Sequence, residues 1–231
     1  MQTRKKKHFK AKQNKRMQQP NVYAYPQGAG ASAPLPPQPQ AGVIVDPKYC
    51  SPHPVDLAIV RKLMKVKDGN FAITNVDGNL LFKVKPPLFC LHDTRNLLDG
   101  SGTQVLTLQR KMMSRHERWQ VFRGGSTDQD DLLYRVKRSP MREREGRLDV
   151  FLPHNKDEKI CDFKVKANRH ERCCVVYAGE SDDAIVAKVH ENHTVRSVFL
   201  GKDSYSVTVY PNVDYAFIVS LVVIFSEAGR L

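Results

Sequence analysis

The chain has 231 residues, of which 41% are hydrophobic, and this suffices for one domain with a buried core plus appended segments. Lys and Arg total 37 against 24 Asp and Glu, which gives a formal net charge of +13. The apolar content excludes a fully disordered chain, five cysteines are too few for a disulfide scaffold, and no strict repeat indicates a collagen or a coiled coil.

Residues 1–19 form a basic, polar tail that we predict to be disordered. Its eight cations, with no acid among them, are Arg4, Lys5, Lys6, Lys7, Lys10, Lys12, Lys15 and Arg16. No apolar stretch follows them, so a secretory signal is not expected and we predict an intracellular protein, in the cytoplasm, at a membrane periphery or in the nucleus. This density is typical of a nuclear-localisation or polyanion-binding patch; the alternative is a solubilising arm.

Residues 20–42 form a proline-rich linker between the tail and a globular body that begins near Val43. Its prolines are Pro20, Pro26, Pro34, Pro36, Pro37 and Pro39. Proline at this density favours an extended, polyproline-like chain. The segment is either a spacer or a ligand for an SH3-type domain.

The body, residues 43–226, repeats one pattern: a short alternating or β-branched run followed by a turn rich in Gly, Asp and Asn. This pattern predicts β-hairpins. The predicted pairs are 70–74 with 80–84, 119–122 with 132–136, 148–151 with 161–165, 173–177 with 184–189, and 197–200 with 205–210. With an opening strand at 58–66 and another at 105–108, about a dozen strands are expected, which favours a closed or nearly closed antiparallel barrel.

Residues 213–225 break the pattern because they are apolar on every side. Their β-branched content favours a strand, but the length, the preceding Pro211-Asn212 and an acidic residue in the first turn, Asp214, favour a helix. Such a helix is about 20 Å long, whereas a bilayer core of about 30 Å needs about 20 apolar residues. We therefore expect no transmembrane span and favour a helix, at about 213–226, buried inside the barrel, with membrane insertion as the alternative. The residues expected to fill the barrel are Phe217, Ile218, Leu221, Val222, Ile224 and Phe225. Residues 227–231 are a short C-terminal end.

Other candidate sites in the body are weaker. Basic residues at 61–67 are expected on a solvated strand face, and those at 137–145 on a solvated hairpin tip where two glutamates offset the arginines. Cys161 alternates with Phe163 and Val165, which predicts a small buried hydrophobic residue. We find no nucleophile arrangement, metal-ligand spacing or cofactor fingerprint, so no cofactor is expected and a non-enzymatic role is favoured.

Four segments together resemble the plant LURP-one-related proteins, over about residues 43–226. They are VDGNLLFKV at 76–84, LLDGSG at 97–102, RWQVFRG at 118–124 and DYAFIVSLVVI at 214–224. That family is similar to the tubby C-terminal domain and the phospholipid scramblases. The resemblance implies a twelve-stranded antiparallel barrel, all-β apart from one buried hydrophobic C-terminal helix.

For function, the resemblance implies a tubby-like module that binds phosphoinositide headgroups and acts as a membrane-tethered transcription regulator, in a family associated with plant defence. No headgroup-binding motif of tubby aligns with this chain residue by residue. Three hypotheses stay open: a regulator at an anionic phospholipid surface, a nuclear regulator that contacts nucleic acid through the basic tail, and a scramblase-like lipid-translocating protein with its C-terminal helix in the bilayer.

Overall fold

The structure, a computed structural model, describes residues 42–63, 69–87, 93–111, 118–139, 146–168, 173–191 and 204–228. The strands, β1 to β12, are Val55–Leu63, Gly69–Asn75, Leu80–Lys85, Thr94–Asp99, Gln104–Lys111, Arg118–Arg123, Leu132–Arg138, Arg147–Phe151, Phe163–Asn168, Cys173–Ala178, Ile185–Glu191 and Ser204–Val209. Within these ranges one α-helix, α1, spans Tyr215–Glu227. Single 3-10 turns occupy Pro47–Tyr49 and Gln129–Asp131.

The twelve strands form a closed barrel in which each strand pairs antiparallel with its neighbours in sequence. β12 closes the ring, because Val209 lies opposite Val55 on one side and opposite Ala187 on the other. Closure leaves none of these twelve strands with a free edge for pairing with another chain. The predicted barrel is confirmed. The predicted hairpin between 197–200 and 205–210 is wrong, because β1 and β11 occupy both edges of β12; residues 197–200 lie outside the described part of the chain.

The barrel wall follows the two-residue period of a strand, with apolar side chains inward. In β7, Leu132, Tyr134 and Val136 are buried, while Arg135 and Lys137 point outward. The predicted turn between β2 and β3 is present, and Gly78 adopts φ 82° there, which suits glycine. β1 begins three residues before the predicted opening strand, at Val55.

Helix α1 runs inside the barrel. Its residues Ala216 to Ser226 are all buried, so the strands surround the helix on every side. Two aromatic rings of the wall, Tyr134 on β7 and Phe163 on β9, pack against Phe217, with ring centroids 5.1 and 4.9 Å away. The residues expected to fill the barrel are each at most 1% exposed: Phe217, Ile218, Leu221, Val222, Ile224 and Phe225. Among the described residues, no helix has the length and hydropathy needed to cross a membrane.

The start of α1 is fixed by Asp214, which caps the helix rather than lying in its first turn. Oδ1 accepts the backbone N–H groups of Ala216 and Phe217, at 3.0 and 3.1 Å. Oδ2 accepts those of Val45 and Asp46, at 2.7 and 3.2 Å. One carboxylate therefore caps the central helix and also ties the segment before β1 to the same end of the barrel.

Candidate functional site

The outer face of β5, β6 and β7 carries a row of cations. Lys111 lies opposite Arg118, and Arg118 lies opposite Lys137. Directly opposed side chains on one face have Cβ atoms about 5 Å apart, and like charges at that spacing destabilise a sheet. Among the described residues, neither lysine has an ion-pair partner. Such a row costs stability unless an anion neutralises it.

The loop between β8 and β9 folds back over this face and supplies one anion. Glu158 places Oε2 3.2 Å from Nη1 of Arg118 and Oε1 3.1 Å from Nε of Arg135. Its carboxylate thus bridges two neighbouring strands, and its side chain is 14% exposed. Glu158 adopts φ 49°, a left-handed conformation that is uncommon for a residue with a side chain. The loop therefore holds this carboxylate against the two guanidinium groups.

The loop has anchors that do not involve Glu158. Nη2 of Arg135 donates to the carbonyl of Asn155 at 2.7 Å. The amide of Asn155 and the backbone N–H of Leu152 both donate to Oδ2 of Asp162, at 2.9 and 2.8 Å. The bond from Arg135 to the loop and the bonds of Asp162 within the loop are thus independent of the Glu158 carboxylate.

A cleft with a volume of ≈ 30 Å³ opens between these side chains. Its lining is Lys111, Arg118, Trp119, Gln120, Arg135, Val136, Lys137 and Glu158. A single water needs roughly 10–15 Å³, so the empty part of the cleft has room for about two or three heavy atoms. We call this cleft the basic groove. Its four cations face one carboxylate, so it carries a net positive charge.

A second polar cluster, further round the barrel, has its charges matched. Arg147 donates to Asp149 at 2.6 Å and to Glu180 at 2.7 Å. Lys164, 2% exposed, and Lys166 lie 2.6 and 2.7 Å from the two oxygens of Asp182. Hydrogen bonds from these two ammonium groups lower the pKa of Asp182 to about 2. Internal pairing satisfies this cluster, so it offers no net charge to a ligand.

The thiol of Cys161 belongs to the same matched cluster. Burial, and then its hydrogen bond to Glu180 at 2.9 Å, raise the pKa of Cys161 to about 12. A thiol with that pKa stays protonated at neutral pH and is a poor nucleophile or metal ligand. Cys161 is buried as predicted, but it precedes β9 and its sulfur donates to a carboxylate. Within the described ranges, no group of three or more His, Cys, Asp or Glu side chains could hold a metal ion.

The predicted anion-binding residues of the tail, Arg4 to Arg16, lie outside the described residues, as do the rest of the tail and all but the last residue of the linker. Of the basic segment 137–145, Lys137 and Arg138 belong to β7 rather than to a hairpin tip, and residues 140–145 lie outside the described part. The prediction of a hairpin tip was therefore wrong for Lys137, which faces the basic groove.

The cations of the basic groove were not identified from the sequence. Lys111 and Arg118 are separated by a connection whose length does not reveal their pairing. The predicted hairpin between 119–122 and 132–136 did contain a signal: extending its register by one residue pair places Arg118 opposite Lys137. Glu158 gave no such signal, because a glutamate in a polar turn is usually solvated.

Comparisons with known proteins agree with this architecture. The family model described as LURP-one-related matches residues 55–226. Among curated relatives, LURP-one-related 15 of Arabidopsis thaliana is 70% identical over 93% of this chain and 98% of its own length. LURP-one-related 1 of the same plant is 61% identical, over 91% of this chain and 93% of its own.

A solved structure is also similar. The X-ray structure of a protein from Arabidopsis thaliana is 62% identical, covers 82% of this chain and 100% of its own, and superposes with a TM-score of 0.64. The family match spans nearly the whole barrel and its helix, and the similarity to the curated relatives extends over most of both chains. This chain belongs to the LURP-one-related family.

Proposed function

We propose that this chain is a non-enzymatic, tubby-like binding module that attaches to anionic phospholipid and acts as a membrane-tethered regulator in plant defence. The observation that supports it is the row formed by Lys111, Arg118 and Lys137 on three adjacent strands. A lipid headgroup carries phosphate at a membrane surface, where cations on a convex barrel wall can reach it. Phosphoinositide is the expected ligand, because its phosphate groups project furthest from the bilayer.

The charge of the groove fits a peripheral attachment. Each Lys or Arg near an anionic leaflet contributes about 1 kcal/mol, so the net charge of the groove gives weak, reversible binding by itself. The basic tail, with eight cations in residues 1–19, adds a second electrostatic contact that is not specific for one headgroup. We expect the groove to select the lipid and the tail to increase the time spent at the membrane.

The loop that holds Glu158 also presents an apolar side chain to solvent. Ile160 is 66% exposed, two residues beyond Glu158. An exposed aliphatic residue in a loop that also contacts a cationic face suits the boundary between headgroups and acyl chains. This feature favours a membrane over nucleic acid as the partner of the groove.

The enclosed position of α1 argues against the lipid-translocating alternative. That alternative needs the C-terminal helix in the bilayer, yet the barrel wall covers all its faces from Ala216 to Ser226. At 13 residues, α1 is about 20 Å long and shorter than a bilayer core. Insertion of α1 would require the barrel to open.

The test is sedimentation of the full chain with vesicles, beside a duplex DNA titration at matched salt. We expect binding to phosphatidylcholine vesicles that contain phosphatidylinositol bisphosphate, and little binding to phosphatidylcholine alone. Equal binding to both vesicles would contradict a phospholipid-headgroup function. Tighter binding to DNA than to the anionic vesicles at physiological salt would favour the nucleic-acid alternative instead.

A further inference from the structure

We propose that Glu158 occupies the position of a phosphate group in the basic groove, as a built-in competitor, and that a phosphomonoester binds there when this carboxylate withdraws. The inference rests on the proposed function and specifies its site. It assigns the contact to Arg118, with Lys111 and Lys137 beside it, and it makes Glu158 the residue that limits affinity.

The Glu158 carboxylate lies between two guanidinium groups. Its two oxygens each approach a different guanidinium group, at 3.1 and 3.2 Å. Guanidinium groups donate to the oxygens of carboxylates and phosphates in the same way, so two oxygens of a phosphate fit where these two now lie. The carboxylate therefore marks where an external anion would be held.

The size of the cleft limits the ligand. The cleft of ≈ 30 Å³, together with the space that the Glu158 carboxylate vacates, admits one phosphate group but is too small to enclose a nucleobase or a whole sugar ring. The ligand must therefore bind by a single terminal phosphate with the rest of the molecule outside the cleft. A phosphomonoester on a headgroup satisfies this requirement, whereas the phosphodiester of a nucleic-acid backbone is flanked by sugars on both sides.

Charge favours the exchange. A phosphomonoester carries close to two negative charges at neutral pH, against one on Glu158. The lysines beside Arg118, Lys111 and Lys137, have no ion-pair partner among the described residues and gain one in the exchange.

The loop permits the carboxylate to withdraw. Arg135 stays bonded to the carbonyl of Asn155, and Asp162 keeps its two donors, when Glu158 rotates away. Nη2 of Arg135 therefore holds the loop in place, while Nε of Arg135 and the guanidinium of Arg118 become available to the ligand.

The experiment compares Glu158→Gln with Asp157→Asn. Both remove one negative charge from the same loop, and Asp157 is exposed with no bond to the groove. Affinity is measured for vesicles containing phosphatidylinositol bisphosphate and, separately, for inorganic phosphate at matched ionic strength. We expect E158Q to bind both probes about three- to fivefold more tightly, and D157N to stay within about twofold of the unaltered chain.

A second substitution tests whether the gain arises in the groove. Arg118→Gln should weaken binding, and the double variant R118Q/E158Q should lose most of the gain of E158Q. Lys85→Gln, on an exposed part of β3, is the control for loss of one positive charge. We also expect E158Q to unfold at a slightly lower temperature, because it loses two ion pairs while it binds more tightly. A purely structural role for Glu158 would lower both stability and binding.

Equal affinities of E158Q and D157N, or a gain that persists in R118Q/E158Q, would overturn the inference. If E158Q does not fold, Glu158→Gly carries the same test, since glycine suits the left-handed backbone. Vesicle binding by the unaltered chain with no difference between E158Q and D157N would overturn this inference alone. A gain seen with inorganic phosphate, without binding to vesicles, would support the groove and contradict the phospholipid function.

Discussion

Asp214 shows how much of this fold depends on one side chain. It is 1% exposed, and burial raises its pKa, although four backbone N–H groups favour the charged form and oppose the rise. Two of those donors belong to α1, and the other two, Val45 and Asp46, lie 169 and 168 residues before Asp214 in the chain. Capping by Asp214 therefore couples the start of α1 to the segment that precedes β1.

Asp214→Ala should destabilise the protein by about 3 kcal/mol, because it removes a helix cap and leaves buried backbone donors unpaired. Asp214→Asn keeps one oxygen to cap the N–H groups of Ala216 and Phe217, but it places an NH2 group against the remaining two backbone donors. Its loss of stability should therefore be smaller than that of D214A. Urea unfolding of both variants measures the difference. Equal stability of the unaltered chain and D214A would contradict the account.

Asp182 makes the stability of the fold depend on pH in the acid range. Its pKa falls from the usual 3.8 to about 2 in the folded protein, chiefly through the hydrogen bond from Lys164. A carboxyl with a lowered pKa contributes stability above its unfolded pKa, and that contribution disappears as pH falls through the window from 3.8 toward 2. Asp182→Asn should therefore show a flatter loss of stability over that window, measured by thermal unfolding at a series of pH values. Identical acid limbs for the two proteins would contradict it.

Residue pairs also show where sequence reasoning reaches its limit. The largely apolar run from Val213 to Phe225 favours a buried helix over a membrane span, because it has no polar face and is too short to cross a bilayer. The bridge from Glu158 to Arg118 spans 40 positions and two intervening strands. Its formation depends on how the β8–β9 loop folds over the wall, which no local pattern encodes.

At the scale of elements, helix α1 fills the interior of the barrel. A twelve-stranded barrel is wider than its own side chains can fill, so the wall needs an apolar filling. Tyr134 and Ser220 form a buried hydroxyl pair between wall and helix, and burial raises the pKa of Tyr134 well above its usual range. A second polar contact joins helix and wall at the C-terminal end of α1, where Nη2 of Arg95 on β4 donates to Oε2 of Glu227 at 3.0 Å, so these two contacts fix the rotation of the helix.

Substitutions on α1 should abolish folding. Ile218→Asp or Leu221→Asp would bury an unpaired charge, and Leu221→Ala should cost about 3 kcal/mol through lost contacts and a cavity. Val76→Asp, at a residue that is 78% exposed, is the matched control and should be nearly neutral. Truncation before Val213 should give insoluble protein. A soluble, cooperatively folding truncation would show that α1 is not the filling of the barrel.

The pairing of strands was predictable where a glycine-containing turn joins two of them, and less predictable elsewhere. The pairs across Asp77-Gly78-Asn79 and across 124–128 appear in the structure, because glycine turns set the register. β4 begins Thr94-Arg95-Asn96, a polar run without clear alternation. The partner of β12 was mispredicted because β11 takes the hairpin edge of β12 across a long connection, and barrel closure pairs the other edge with β1.

At the scale of the whole molecule, the proposed function uses two positively charged parts, the tail and the basic groove. The tail carries eight of the cations that give the chain its net charge of +13, and the groove concentrates four more on one wall of the barrel. Exposed charges are screened over about 8 Å at physiological salt, so contacts of the tail should weaken with salt more than those of the partly enclosed groove.

Deletion of residues 1–19 tests this division. The truncated chain should keep its unfolding temperature and lose part of its affinity for anionic vesicles, with the loss largest at low salt. Its remaining binding should still depend on Arg118. If the truncated chain binds as tightly as the full chain at low salt, the tail is not an electrostatic anchor.

The central claim is that the barrel wall at β5 to β7, rather than any other face, binds the phosphate of an anionic lipid. Amide NMR spectra of the full chain, titrated with a soluble short-chain phosphatidylinositol bisphosphate, test it directly. We predict the largest saturable shifts at Lys111, Arg118, Lys137 and the loop around Glu158, with little change in β10 and β11. Shifts confined to other strands, or none at saturating ligand, would contradict the claim.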